Sequence, residues 1–279
     1  MNKILSELNA LMSKMEEETI CLKKENTQLK CKLEEQLRTP APTYCPPIHR
    51  NMFYMPHRDP IALTAYSWAT IKQLCDNSMV SQLFSVGDTK TVTLKNGDEI
   101  NLRIIGMYHD VDPFGQPIPI TWELCDLWPE RFYMNESGTN KGSWEDTDMR
   151  EWLDCKVRSM LPDELSQIIT PTMKLTRDGG NGEGMIETKD TLFLLSEQEI
   201  FGRKIYSKGG EGRWYEWYRQ ENVSYAKKYP DGSFGWRWER SPYGSDSTNF
   251  CLVNGNGGGN AYSNNNASNS YGVSFGFCT

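Results

Sequence analysis

From Trp236 to Thr279 the chain is dense in Asn, Gly, Ser and Tyr, yet two apolar-aromatic segments, Trp236–Trp238 and Val273–Cys278, bound the stretch. Disordered segments lack apolar residues to bury, and such a tail would not close on Gly-Val-Ser-Phe-Gly-Phe-Cys. The chain must return to a core at its end. The polar stretch between is therefore expected as a displayed loop-and-strand surface pinned at both ends. Leu252, Asn254, Asn256, Gly258 and Asn260 share one parity, and Cys251, Val253, Gly255, Gly257 and Gly259 share the other. Successive side chains of a strand point to opposite faces. The first set is expected outward, and the second against the protein.

Upstream, the pattern is that of a mixed domain. Ser67–Leu83 reads as a helix with Trp68, Ile71, Leu74 and Cys75 on one stripe. Thr89–Leu94 and Glu99–Met107 alternate as strands around Lys95-Asn96-Gly97-Asp98, whose Asn-Gly pair is a hairpin signal. Ile104-Ile105 points to burial on both faces. Asp148 is a candidate N-cap for a helix through Leu161, with Trp152, Cys155 and Met160 facing inward, and Pro162 a candidate first residue of a helix through Ile169. Thr176–Gly184 reads as a loop and Thr191–Leu195 as a short apolar strand. Two helices among scattered strands indicate an α+β domain. Trp214, Tyr215, Trp217 and Tyr218 form an aromatic group, with the two tryptophans expected to be the more buried.

The C-terminal framework Trp-Glu-Arg-Ser-Pro (238–242), Phe-Cys-x-Val (250–253), Ala267 and Gly-Val-x-Phe-Gly-Phe-Cys (272–278) resembles the variable region of proteins diversified by retroelements. SWATIKQL, VGDTKTVTLKNGDEINLRIIGMYHD, TLFLLSEQEIFG and RWYEWYRQENV extend the resemblance from about Ser67 to the C-terminus. It implies a C-type-lectin-like fold of the formylglycine-generating-enzyme-like subtype over residues 61–279, with a variable region at about 240–272. Such genes are rewritten at adenines, chiefly in Asn codons, giving Asn, Ser, Asp, Gly, Tyr, Thr or Leu. The ligand-binding positions it implies are Tyr243, Gly244, Asp246, Asn249, Leu252, Asn254, Asn256, Gly258, Asn260, Tyr262, Asn264, Asn269 and Tyr271. Arg240, Ser241, Pro242, Phe250, Cys251, Val253, Ala267, Gly272, Val273, Phe275 and Phe277 are the implied fixed scaffold. The implied role is display of a binding face for a protein or glycan on a cell surface, in a phage receptor-binding component or a bacterial recognition protein. A structural tail or decoration protein and a formylglycine-generating oxidase are the rival readings.

The N-terminus carries a second signal. Leu5, Met12, Thr19, Asn26 and Leu33 fall at heptad position a, and Leu8, Met15, Leu22, Leu29 and Gln36 at d. Glu18 and Glu25 at g precede Lys23 and Lys30 at e, the pairing of parallel helices in register. Residues 1–37 are expected to form a parallel coiled coil that joins two or three copies, with Asn26 fixing the register. Residues 38–60, with six prolines between Arg38 and Pro60, read as a linker or collar.

The remaining chemistry is sparse. A net charge of −7 and no basic face argue against nucleic-acid binding. No apolar run is long enough to insert in a membrane, and Met1–Glu18 lacks the apolar stretch of a signal peptide, so cytoplasmic synthesis is expected. Eight cysteines without a CxxC, and only three histidines, give no zinc spacing. No metal and no cofactor are expected, and the thiols are expected buried and reduced. His109-Asp110 with Asp112 reads as a polar turn. Ser196, Glu197 and Glu199 read as a capped turn, not acid/base machinery, so the expectation is a protein without catalytic activity.

Overall fold

The computed structural model describes residues 62–180, 182–255 and 261–279, with the backbone alone at 261–264. The coiled coil and linker expected over residues 1–37 and 38–60 lie outside the described residues, as do Asn256, Gly258 and Asn260. The described chain is an α+β domain. Its strands are β1 Thr89–Thr93, β2 Glu99–Met107, β3 Ile120–Leu124, β4 Thr172–Arg177, β5 Met185–Asp190 and β6 Phe193–Leu194. They continue with β7 Lys227–Lys228, β8 Phe234–Gly235, β9 Arg237–Pro242, β10 Asn249–Val253, β11 Ala261–Asn266 and β12 Phe275–Cys278. The helices used below are α1 Trp68–Asp76, α2 Asp148–Trp152 and α3 Glu197–Phe201.

Five strands form the main sheet in the order β1-β2-β3-β12-β6. The first hairpin follows from its sequence. Gly97 takes φ +93°, a left-handed value that suits glycine, and Asn96 accepts the amide of Asp98 at 3.1 Å. β2 begins as an alternating strand and ends fully covered at Ile104-Ile105, as its apolar pair foretells. β3 and β12 are buried along their whole lengths. They pair antiparallel with Thr121 opposite Cys278 and Trp122 opposite Phe277, which stacks on it at 6.2 Å. Trp68 of α1 meets Trp122 edge-on at 5.5 Å. The C-terminal segment thus enters the centre of the core, as its apolar residues require.

Several local expectations need correction. The helix expected from Ser67 is N-capped there but breaks after Asp76, where Ser78 adopts φ +55°, and resumes at Val80–Leu83. Thr147, not Asp148, caps α2, accepting from the Arg150 amide, and the helix continues through a π-helical turn at Leu153–Val157 to Arg158–Met160. That turn leaves Cys155 exposed instead of inward. Pro162 is the N-cap, not the first residue, of a helix that ends at Ser166. β4 runs through Arg177 into the expected loop. In the aromatic group Tyr215 and Tyr218 are fully buried and the two tryptophans only partly, because each tyrosine hydroxyl reaches a buried carboxylate.

Candidate ligand-binding surface

The polar C-terminal stretch is built on a separate three-stranded sheet in the order β11-β10-β9. Every implied scaffold residue in it is buried: Arg240, Ser241 and Pro242 in β9, Phe250, Cys251 and Val253 in β10, then Ala267, Gly272, Val273, Phe275 and Phe277. Among the implied ligand-binding residues, Tyr243, Gly244, Asp246, Asn249, Asn254 and Tyr271 are half-buried and Asn269 is exposed. Tyr262 and Asn264 lie in β11, where Tyr262 pairs with Leu252.

Leu252 corrects the expectation. It is fully buried although it shares parity with Asn254. β10 is the central strand, with β9 and β11 on either side. Its register also slips between Phe250 and Leu252 against both neighbours. Phe250 faces Pro242 and Leu252 faces Trp238, so three residues of β9 oppose Cys251 alone. The extra residues lie in β9 and β11, and β10 itself is buried at both parities from Phe250 to Val253.

The turn at 243–249 is held by its own side chains and by a distant loop. Asp246 accepts the amides of Thr248 and Asn249, both at 2.9 Å, and the Asn249 side-chain amide at 2.9 Å. Asn140 donates to the carbonyls of Asp246 (3.1 Å) and Asn249 (2.7 Å), and Thr139 donates to that of Ser247 (2.9 Å). A Cβ on Gly244 would stand 3.1 Å from the Tyr206 carbonyl, so a larger residue there must move its neighbour. At the far end, Tyr271 exchanges backbone hydrogen bonds with Phe132, stacks on Trp236 at 6.2 Å and meets Trp238 edge-on at 5.1 Å. Its hydroxyl accepts from Asn265, whose carbonyl accepts from Asn269. Sequence reading missed the supporting residues Phe132, Thr139 and Asn140, because contacts across about a hundred residues leave no local signature.

Beneath the sheet, Arg240 anchors β9 to a buried ionic network. Its guanidinium pairs with both oxygens of Glu199 and donates to the carbonyls of Leu194 (3.0 Å), Leu175 (3.1 Å) and Glu211 (2.8 Å). Lys174 reaches Asp110 at 2.6 Å, Glu199 at 3.2 Å and the Tyr215 hydroxyl at 2.7 Å. Glu199 is fixed by a capping box with Ser196, the local signal expected from the sequence. Burial works to raise the Asp110 pKa, but the Lys174 ammonium outweighs it and holds the carboxyl down at about 2. For Glu199 likewise, Arg240 and Lys174 overcome burial and keep the carboxylate ionised. Two cations and two carboxylates therefore balance. The network accounts for Asp110 and Glu199 as scaffold, while His109 contacts Glu216 at 3.1 Å and the Arg213 carbonyl at 3.2 Å.

A family model described as a domain of unknown function (DUF6273) matches residues 121–278. The chain belongs to this family. The match begins and ends on the paired residues Thr121 and Cys278 of β3 and β12. No curated protein and no solved structure matches the chain. Among the described residues, no helix is long and apolar enough to cross a membrane.

Proposed function

We propose that this protein displays a diversified ligand-binding face on a C-type-lectin-like scaffold, without catalytic activity of its own. The observation that carries the reading is the partition of the C-terminal stretch. Every implied fixed residue is buried, while all but one of the implied variable residues whose side chains are described reach the solvent at least in part. A face that must change without unfolding its support needs this separation, since exposed substitutions shift stability by less than about 0.5 kcal/mol. Tyr, Asn, Ser and Gly suit such a face: Tyr supplies rigid contact area and the others adaptable hydrogen bonds.

The N-terminal heptads fit the same role. A parallel coiled coil of two or three chains gathers as many faces, and a repetitive cell surface then holds the assembly more tightly than any single face. A protein or glycan on a bacterial surface is the ligand class, and a phage particle or the bacterial cell itself is the setting. The test replaces Tyr243, Asn254 and Asn269 together by Ala and measures capture on a panel of bacterial surfaces beside thermal denaturation. The reading expects capture to be lost with the melting temperature held within a few degrees. Capture unchanged on every surface that the parent protein binds would overturn it.

A further inference from the structure

A second group of buried side chains lies under this sheet, outside the Lys174–Arg240 network. Glu197 opens α3, Glu239 lies in β9 and Cys251 in β10. One carboxylate oxygen from each glutamate and the Cys251 sulfur all fall within 4.8 Å of one another, and the three residues are fully buried. The elements are far apart in sequence, so no ligand spacing marks the group.

Glu239 is the unusual member. Neither of its carboxylate oxygens has a hydrogen-bond partner among the described residues. Buried polar atoms are nearly always satisfied, and each exception needs an explanation. Glu197 is the opposite. Its carboxylate accepts the amides of Ile205 (2.7 Å), Tyr206 (2.8 Å) and Ser207 (3.0 Å) and the Ser207 hydroxyl (2.8 Å). Three of these reach Oε2 and one reaches Oε1, which keeps a lone pair free. Such outer hydrogen bonds are how proteins orient a ligating carboxylate. The Cys251 sulfur makes only a 4.0 Å contact to the Pro242 carbonyl.

Charge balance points the same way. Lys174 and Arg240 are matched by Asp110 and Glu199, and Lys227 by Glu123, while buried Arg237 donates to the Tyr225 carbonyl and the Tyr218 hydroxyl. Among the described residues, no Lys or Arg stands in ion-pair contact with Glu197, Glu239 or the neighbouring buried Glu211. Buried carboxylates in this position are either neutralised by protons or coordinate a metal.

We propose that Glu197, Glu239 and Cys251 form a binding site for one divalent transition-metal ion of the zinc type. Zinc accepts thiolate and carboxylate ligands together at about 2.0–2.3 Å, whereas calcium and magnesium require more oxygen donors. Tetrahedral ligands at those lengths stand about 3.3–3.8 Å apart, so the three atoms, now within 4.8 Å of one another, would draw together on the ion. Binding releases the thiol proton and any proton on Glu239 to solvent, leaving thiolate and carboxylate on the metal. The ion would clamp β9 and β10 to the start of α3, stiffening the scaffold directly under the polar surface. The site stands whether or not that surface binds a ligand.

The test uses the full chain. Elemental analysis of the protein as purified, and after refolding with zinc chloride and exhaustive dialysis, should give about one bound ion per chain. The same refolding should raise the melting temperature, and a chelator present during refolding should abolish the rise. Glu239→Gln and Cys251→Ser, each checked for folding by circular dichroism, should lose the ion. Cobalt-substituted protein should show a sulfur-to-cobalt charge-transfer band that Cys251→Ser removes. Protein that holds no stoichiometric metal in either preparation would overturn the proposal and leave Glu239 as a neutral buried acid. Retention of the ion by folded Glu239→Gln and folded Cys251→Ser would also overturn it, placing the metal elsewhere, for instance on Cys21, Cys31 or Cys45.

Discussion

Leu252→Ala separates the structure's account of β10 from simple strand alternation. If Leu252 faced solvent as a ligand contact, its truncation would change stability by less than about 0.5 kcal/mol. The structure instead buries it completely in a central strand between Trp238 and Tyr262 of the neighbouring strands. Truncation removes three carbon atoms, worth about 2.4 kcal/mol at roughly 0.8 kcal/mol for each. A pinned central strand collapses poorly into the space left behind, and the cavity adds about 1 kcal/mol. The expected loss is therefore about 3–4 kcal/mol, or roughly 6–16 °C in melting temperature for a domain of this size. Urea unfolding followed by tryptophan fluorescence reads it as a lower midpoint at constant slope. Asn269→Ala, on the exposed turn, is the matched control and should move the midpoint little. A Leu252→Ala loss no larger than that of Asn269→Ala would refute the burial of this position and return it to the variable face.

Arg240→Met should cost about 3–5 kcal/mol in the same urea assay, since it strands Glu199 and several buried carbonyls while only Lys174 remains to compensate. Against the effect of burial, Lys174 holds the folded pKa of Asp110 at about 2, below the ordinary value of 3.8. Its stabilisation, about 2 kcal/mol, is complete above pH 4 and fades as pH falls through 2. Asp110→Asn should flatten that limb of a stability-against-pH curve. Deletion of residues 1–38 should convert the protein to a folded monomer by sedimentation equilibrium, and a truncated protein that keeps its oligomeric state would refute the heptad seam.

Much of the domain could be read from local chemistry. The β1–β2 hairpin, the capping box at Ser196–Glu199 and the return of Val273–Cys278 to the core each rest on a few adjacent residues. The misreadings arise where distant contacts decide. Alternation put Leu252 outward, whereas β10 is buried at both parities from Phe250 to Val253 by distant parts of the chain. Tyr215 and Tyr218 outrank the tryptophans in burial because Asp110 and Glu123, far away in sequence, accept their hydroxyls. The ring of Phe132, Thr139 and Asn140 that supports the candidate surface was invisible for the same reason. So was the group of Glu197, Glu239 and Cys251, since ligand searches along a sequence look for close spacing.

The claim that this surface is diversified is tested most directly in the gene's own neighbourhood. The account predicts a reverse-transcriptase gene nearby and an imperfect repeat of this gene's 3′ end. The two copies should differ at template adenines alone, with the changes falling in codons of positions such as Tyr243, Asp246, Asn249, Asn254 and Asn269 and sparing those of Arg240, Phe250 and Phe275. A repeat whose differences fall equally on all four bases, or a gene with no such repeat and an identical 3′ end across closely related genomes, would contradict it.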